Sequence, residues 1–375
     1  MAHVERVLIV GGGIAGLTLA TALSQQGFQV DLVERNPVWH TIGAGILVQA
    51  NGMRVLRALG LGEAVEQAGA VVRSWGFYNQ QGKLLCETDL EALWGEVGPC
   101  IGITRSRLQE VLLAGAASVP CRLGTSLTSL IQGEQRVPVS MSSGEARDYD
   151  LVVGADGIGS VVRKLALSEV SPLYSGQMMW RSLVSTRPRG LTGLQFLLGE
   201  GCFFGLMPAG DGYTYGFGNT TSPRSHDPQI GRMERLRARF AAFGGPVTEY
   251  LASLSHDEQI HCAPIDWLEL DQWQSGRVIL IGDAAHASIP MMGQGGCLAM
   301  EDAYVLAEVL REAISVENAL ETYVSRRKPR VVWVQQESRA AAQDIGLKLS
   351  VRNAALRERG DQIVQHRFRP LKSEG

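Results

Sequence analysis

The chain has 375 residues, 45% of them hydrophobic and 19% charged, which suffices for a large buried core and is too apolar for disorder. At roughly 100–200 residues per domain the length allows two or three domains. A net charge of −3 gives no electrostatic case for nucleic acid or an anionic membrane, and the six scattered cysteines contain no CxxC pair that would suggest a zinc or dithiol redox site.

The first predicted element is a buried strand, His3–Val10, β-branched and apolar and ending at glycines. Ile14–Gln26 has helical spacing, with Leu17, Ala20 and Leu23 on one face and Gly27 closing it. Phe28–Glu34 is a second strand, so the segment is a βαβ unit. The apolar stretch from Val7 to Leu23 has the hydropathy of a signal peptide or anchor. Its four glycines, Glu5 before it and the charged strand after it argue against that reading. No other run reaches the roughly 20 residues a bilayer span needs, and scattered thiols in a chain this large fit a reducing cytoplasm. Short helices are expected at Asn51–Leu59 and Ser106–Ala117, and an apolar strand at Asp150–Gly154. From about Gly176 to Trp267 the strand–helix alternation gives way to strand-like runs: Met178–Ser185, Gly193–Leu198, Cys202–Met207 and Tyr213–Gly218. That texture predicts a mainly antiparallel sheet. The α/β texture returns at Arg277–Ile281, followed by a helix from near Gly295 and another from Ala319 to about Leu349. The tail from Arg367 is expected to be mobile. The predicted fold class is therefore α/β: a Rossmann-like domain of parallel sheet and helices in residues 1–70, 99–175 and 268–330. A mainly antiparallel sheet domain in 71–98 and 176–267 interrupts it, and a C-terminal helical segment, 331–375, follows.

Three motifs carry chemistry. Gly11-Gly12-Gly13-Ile14-Ala15-Gly16 is a GxGxxG between strand and helix. Gly11 suits the tight turn, Gly13 a close approach to a pyrophosphate, and Gly16 close helix–strand packing. The helix N-terminus offers N–H groups to phosphates, and Glu34, followed by Arg35, ends the second strand where a ribose would sit. This points to a dinucleotide without separating FAD from NAD. In the second motif, Arg277-Val-Ile-Leu-Ile-Gly282-Asp283-Ala284-Ala285-His286, a buried strand delivers Asp283 to the ligand-binding end of an open sheet. Pro290 and Gly293-Gln294-Gly295-Gly296 follow, then a helix bearing Glu301 and Asp302. The third is Asp150-Leu-Val-Val-Gly154-Ala155-Asp156-Gly157, a strand entering a glycine turn. No metal-ligand set is predicted.

The three motifs, in this order and at these separations, resemble the aromatic-hydroxylase class of flavoprotein monooxygenases, the group containing para-hydroxybenzoate and salicylate hydroxylases. The resemblance runs from Val7 to about Arg330, and the stretch Gly293–Cys297 with Glu301-Asp302-Ala303 is most similar to the salicylate, urate and 3-hydroxybenzoate hydroxylase branch. It implies an FAD domain split by a substrate-binding sheet, with Glu34 on the adenosine ribose, Arg105 on FAD, Asp283 on the ribityl chain and Asp156 near the pyrophosphate and nicotinamide. Trp180-Arg181 resembles the start of the substrate sheet. Arg107 stands where many members have an acid, and Cys297 where other branches have asparagine.

The implied activity uses NADH or NADPH to reduce FAD and O2 to form a flavin C4a-hydroperoxide that hydroxylates a small aromatic or heteroaromatic ring. The protein would act as a monomer or homodimer without nucleic acid or an integral membrane anchor. The candidate catalytic residues are Tyr215, Pro290 and His286, with packing as the alternative for His286. The candidate pocket residues are Arg181, Phe203, Tyr213, Tyr215, Phe217 and Pro290. In Tyr213-Thr214-Tyr215-Gly216-Phe217 the period of two places three aromatics on one sheet face. No lysine or arginine lies between Arg189 and Arg224, so the aromatic wall there favours an uncharged ring over a benzoate-type acid. Arg73 or Arg181, reaching in from neighbouring segments, would reverse that preference. A flavin-dependent halogenase would show a Trp-x-Trp-x-Ile-Pro stretch, which is absent. A reductase or dehydrogenase without oxygen insertion and a non-catalytic flavin-binding protein are the competing readings.

Overall fold

The computed structural model of the chain describes residues 4–39, 44–167 and 169–374. Strand Arg6–Val10 lies at the heart of a six-stranded sheet, because its run of apolar residues is covered on both faces; the expected start at His3 lies outside the described residues. It pairs in parallel with Gln29–Val33 on one side and Leu151–Gly154 on the other. Cys121–Arg122 extends the first side and Val278–Leu280 the second, both in parallel, and antiparallel Gln274–Ser275 forms the far edge. Strand order therefore reverses at Arg6–Val10, the place where open α/β sheets bind ligands beyond their strand C-termini.

The interrupting sheet has seven strands, in the order Ile260–Trp267, Leu173–Val184, Thr214–Thr221, Cys202–Pro208, Leu194–Leu198, Ser74–Asn79, Leu84–Asp89. Every pairing is antiparallel except Leu194–Leu198 with Ser74–Asn79, which is parallel. Its period-two pattern gives it two apolar faces. On one, Leu197, Phe204 and Leu206 pack with Phe240, Val247 and Tyr250 of two helical segments, Arg232–Arg239 and Pro246–Ser253 with their flanks, which the sequence did not announce. Gly216 and Gly218 make room there for the Tyr250 and Phe240 rings. The other face carries Trp75, Phe196, Phe203, Tyr215 and Phe217 and looks toward the first sheet.

Two small antiparallel sheets complete the strands: Leu127–Leu130, Val137–Met141, Ala146–Tyr149; and Gly45–Val48, Ile101–Thr104, Ala70–Val71. Helix Val316–Asp344 runs through residues 330 and 331, so the boundary expected there falls inside one element. The expected mobile tail is instead tied down. Trp333 Nε1 donates to the Arg367 carbonyl at 3.1 Å, and Arg367 Nε bonds Glu337 at 3.1 Å. Arg330 donates to the carbonyls of Pro370 (2.9 Å) and Leu371 (2.8 Å), and Arg54 to those of Lys372 and Ser373 at 2.8 Å each. These donors come from distant helices, which local composition cannot register. No helix among the described residues is long and apolar enough to cross a membrane.

Candidate active site

The glycines after the first strand are fixed by packing. Gly11 has φ +109°, and a methyl there would collide with the Ala155 carbonyl on the neighbouring strand turn. A methyl on Gly16 would collide with the Gly11 carbonyl, so the helix Ile14–Gln25 can lie this close to the strand only with glycine there. That helix begins at Gly13 with no capping side chain and no acid in its first turn. The helix Gly295–Glu312, entered from Gln294, begins in the same way. Asp89, Thr104, Ser160 and Ser315 cap four other helices, while helix Ala50–Ala58 among others also begins without a side-chain cap. What sets these two ends apart is their shared destination: Gly13, Ile14, Ala15, Gly293, Gln294, Gly295 and Gly296 all line a single cavity of about 540 Å³. Two helix ends with free N–H groups and no acid in their first turns present partial positive charge to that space.

A second cavity of about 250 Å³ adjoins the first and shares Gly13, Ile14 and Arg105 with it. Glu34, Trp39 and Gln109 line it, and the Glu34 carboxylate accepts from the N–H groups of Gly12 (2.8 Å) and Asn36 (2.9 Å). Arg35 is exposed and lines neither cavity. Asp283 follows Gly282 at the C-terminal end of strand Val278–Leu280, and lines the larger cavity. Gly157 lines it too, but Asp156 does not. Its Oδ2 accepts from the N–H groups of Val161 (2.6 Å) and Val162 (3.2 Å), capping helix Val161–Ala166, while its buried Oδ1 has no partner. Burial pushes the Asp156 carboxyl up, against the hydrogen bonds from Ser160 and from these N–H groups. An elongated pair of cavities, with an acid in each and two open helix ends between, has the donor set for a pyrophosphate and an electron-accepting ring; the residues present fit FAD.

The far wall of the larger cavity is the aromatic sheet face. Tyr215 stacks on Phe217 at 5.1 Å between centroids, and Phe196 meets Phe217 at 5.6 Å and Phe203 at 5.5 Å. A methyl on Gly45 would come within 2.5 Å of the Tyr215 side chain, so strand Gly45–Val48 presses directly under that ring. Burial pushes the Tyr215 hydroxyl up, and the guanidinium groups of Arg181 and Arg105 oppose that shift. Arg181 lies opposite Phe217 in register and lines the cavity. Among the described residues no carboxylate forms an ion pair with it. The wall is therefore not free of cations. Strand order does not follow chain order, and an interval counted between Arg189 and Arg224 misses the cation delivered by the adjacent strand. Arg73 belongs to a separate cavity with Arg57 and Glu91.

Phe203, Phe217 and Pro290 line the cavity, the last at the start of the turn Pro290–Met292. Tyr213 does not. It ends a turn in which its N–H bonds the Gly210 carbonyl at 2.7 Å, strand pairing starts only at Thr214, and its ring is exposed. The period-two pattern thus reaches Tyr215 and Phe217 alone. His286 is buried off the cavity, 5.1 Å from the Trp273 ring, and its Nε2 is 2.5 Å from Asp302 Oδ2. Residues the motifs did not point to also line the cavity. Trp75 comes from the early strand, Met179 from the long one, and Val334 and Ser338 from the C-terminal helix. Only the alternation in Trp75-Gly76-Phe77 gives a local hint of this; Val334 and Ser338 carry none.

Behind the cavity lies a buried charge network. Asp302 Oδ2 also accepts from Gly282 N at 2.9 Å, and Oδ1 accepts from Arg327 Nε at 2.8 Å. Glu301 is held by Arg327 at 3.0 Å and Arg330 at 2.7 Å. Asn51 donates to Glu301 at 3.1 Å and to Gln294 at 2.9 Å. The network thereby fixes both Gly282, just before Asp283, and Gln294, at the mouth of the second open helix. Burial alone would raise both carboxyls, but Asp302 is held well below the usual carboxylate range by His286 and Arg327, and Glu301 is lowered by Arg327 and Arg330. Cys297 faces helix Ala50–Ala58, accepting from Gln49 N at 3.3 Å, and burial pushes its thiol up to about 12.

The sequence matches a family model described as an FAD binding domain over residues 5–338. The chain is 36% identical over 328 residues to the aurachin C monooxygenase/isomerase of Stigmatella aurantiaca, covering 86% of this chain and 85% of that protein. It is 30% identical over 336 residues to the 2-heptyl-3-hydroxy-4(1H)-quinolone synthase of Pseudomonas aeruginosa, covering 88% and 87%. The crystal structure of a Klebsiella pneumoniae protein complexed with FAD and uric acid superposes with a TM-score of 0.91 at 27% identity, covering 98% of this chain and 96% of that one. Family match, relatives and cavity chemistry agree: the chain belongs to the FAD-binding-domain family of FAD-dependent monooxygenases.

Proposed function

We propose that the enzyme hydroxylates a flat heteroaromatic ring, with NADH or NADPH as reductant and O2 as oxygen source. The observation that carries this reading is a single cavity with two open helix ends on one wall and an aromatic sheet face bearing Arg181 and Tyr215 on the other. The names of the relatives support a heteroaromatic ring, since one is a quinolone synthase and another was crystallised with uric acid.

Bound FAD supplies electron transfer from the nicotinamide and oxygen activation. In our reading residues 1–70, 99–175 and the segment from 268 hold the cofactor, and 71–98 and 176–267 hold the ring. Glu34 takes the adenosine ribose, the N–H groups from Gly13 to Gly16 take the pyrophosphate, Arg105 bridges the two cavities, and Asp283 accepts from the ribityl hydroxyls. The helix end at Gly295 and Gly296 stabilises negative charge on the reduced ring. Arg181, helped by the Tyr215 hydroxyl, holds an oxygen of the substrate ring. A cation there favours the anionic form of that oxygen and so raises electron density on the ring carbon to be attacked. The apolar wall excludes water. The six unpaired cysteines suit a reducing compartment such as the cytoplasm, and the protein acts as a monomer or homodimer.

The test is a panel of phenols, quinolones and purines, each scored for stimulated NAD(P)H oxidation and for product mass. Gain of one oxygen atom in a ring product is expected. Nicotinamide oxidation that yields no oxygenated product with any ring would support a reductase and overturn the reading.

A further inference from the structure

The aromatic face is not uniform across the sheet. The two strands Ile260–Trp267 and Leu173–Val184, at one edge, bring its polar groups: Arg181, half-buried His261 opposite it, and Asp266, which is paired with Arg224. Moving across the sheet, Thr214–Thr221 brings Tyr215 and Phe217, Cys202–Pro208 brings Phe203 and Met207, Leu194–Leu198 brings Leu194 and Phe196, and Ser74–Asn79 brings Trp75. The rings touch in sequence. Phe217 lies 5.6 Å from Phe196, Phe196 stacks on Trp75 at 5.1 Å, and Trp75 meets Phe368 of the C-terminal helix at 5.3 Å. Gly205 leaves room for the Phe217 ring, which lies directly over it. From the strand of Arg181 to that of Trp75 there are four strand intervals. At about 4.8 Å each these make an arm on the order of 19 Å, longer than one bicyclic ring. All of Leu194, Phe196, Phe203, Met207 and Trp75 are buried, and none is charged.

A bare ring held at Arg181 would leave the far half of this arm unfilled. An apolar recess of that kind does not hold water well and gains most from an apolar occupant. Resting on the ring-hydroxylation reading above, we propose that the substrate ring carries a flexible hydrocarbon chain, which lies along the arm from Phe217 to Trp75 while the oxygenated head stays at Arg181. The enzyme's substrate class is then an amphiphilic alkylated or prenylated ring, and the arm residues set its preference for chain length.

The experiment uses the FAD-loaded enzyme without nicotinamide and reads binding from the perturbation of the flavin absorption spectrum. Two probe series are titrated: 4-hydroxyquinolines with methyl, propyl, pentyl or heptyl at carbon 2, and phenols with the same chains. Each buried methylene should tighten Kd about fourfold until the arm is full, on both heads. Phe196→Ser and, as a second variant, Leu194→Asn should flatten the dependence on chain length, read as the ratio of methyl to heptyl Kd within each variant. Arg181→Gln should weaken every member by the same factor. A Kd that is flat or rises with chain length in both series overturns the proposal while leaving ring hydroxylation standing. If no member of either series binds, the ring reading falls and the arm with it.

Discussion

At the scale of single residues, the two acids of the flavin motifs do different work. The Asp283 carboxylate lines the cavity, whereas Asp156 spends one oxygen capping a helix. A charge-assisted hydrogen bond to a ligand hydroxyl is worth about 1.5–3 kcal/mol, so Asp283→Ala should weaken FAD binding roughly ten- to a hundredfold in a titration of apoprotein. Asp156→Ala should instead lose about 1 kcal/mol of stability in a thermal melt, with a smaller change in FAD affinity. Arg181 leads to a pH prediction. A neighbouring cation lowers the pKa of an acidic ring oxygen, and its removal raises it, by about 1–3 units. The acidic limb of the kcat–pH profile should therefore move to higher pH in Arg181→Gln, and an unmoved limb would show that Arg181 does not hold the ionising oxygen. Arg181 was readable as a pocket candidate from Trp180-Arg181, but its position opposite Phe217 was not. That adjacency is a matter of strand register, and the pattern along one segment carries no register between segments.

At the scale of elements, the parts with strong local signals were legible. The GxGxxG strand–turn–helix, the strand before Asp283 and the helix from Gly295 come from runs whose period and glycines leave few alternatives. Helices Arg232–Arg239 and Pro246–Ser253 were hidden inside a stretch that reads as sheet, since each is short and is held by packing of Phe240, Val247 and Tyr250 on the sheet's back face. The contribution of Val334 and Ser338 to the cavity was hidden for a related reason: a helix shows its apolar stripe but not what the stripe will meet. Gly205 makes a prediction at this scale. Gly205→Ala in strand Cys202–Pro208 should push the Phe217 ring into the cavity. We expect KM for the ring substrate to rise about tenfold with FAD retention unchanged, because the helix ends proposed to hold the cofactor lie on the other wall. Loss of FAD in parallel would place Phe217 elsewhere.

At the scale of the whole molecule, the buried network around Asp302 joins the strand end at Gly282, the helix Gly295–Glu312 and the long helix Val316–Asp344. Its depressed carboxyls make stability pH-dependent with a definite sign. An unfolded aspartate titrates near 3.9 and the folded Asp302 lower, so its contribution is fully present above about pH 4–5 and is lost as pH falls through the folded value. Thermal melts should show Tm falling as pH drops from 5 to 3. Asp302→Asn should remove part of that slope while costing about 3–5 kcal/mol at pH 7, because a buried carboxylate is lost to both Arg327 and His286, and Glu301 alone still pairs Arg327. A sequence gives Glu301-Asp302 as an acidic pair on a helix, but the cations that compensate it lie 25 or more positions away and appear only when the C-terminal helix packs back.

Under the proposed function this cavity couples nicotinamide oxidation to insertion of an oxygen atom from O2 into a ring. The most direct measurement is turnover of the best-stimulating ring under ¹⁸O2, with mass analysis of the product and assay of hydrogen peroxide. The expected product is a hydroxylated ring carrying one ¹⁸O atom, formed in proportion to the nicotinamide consumed. Complete recovery of the reducing equivalents as peroxide, with the ring returned unlabelled, would contradict it.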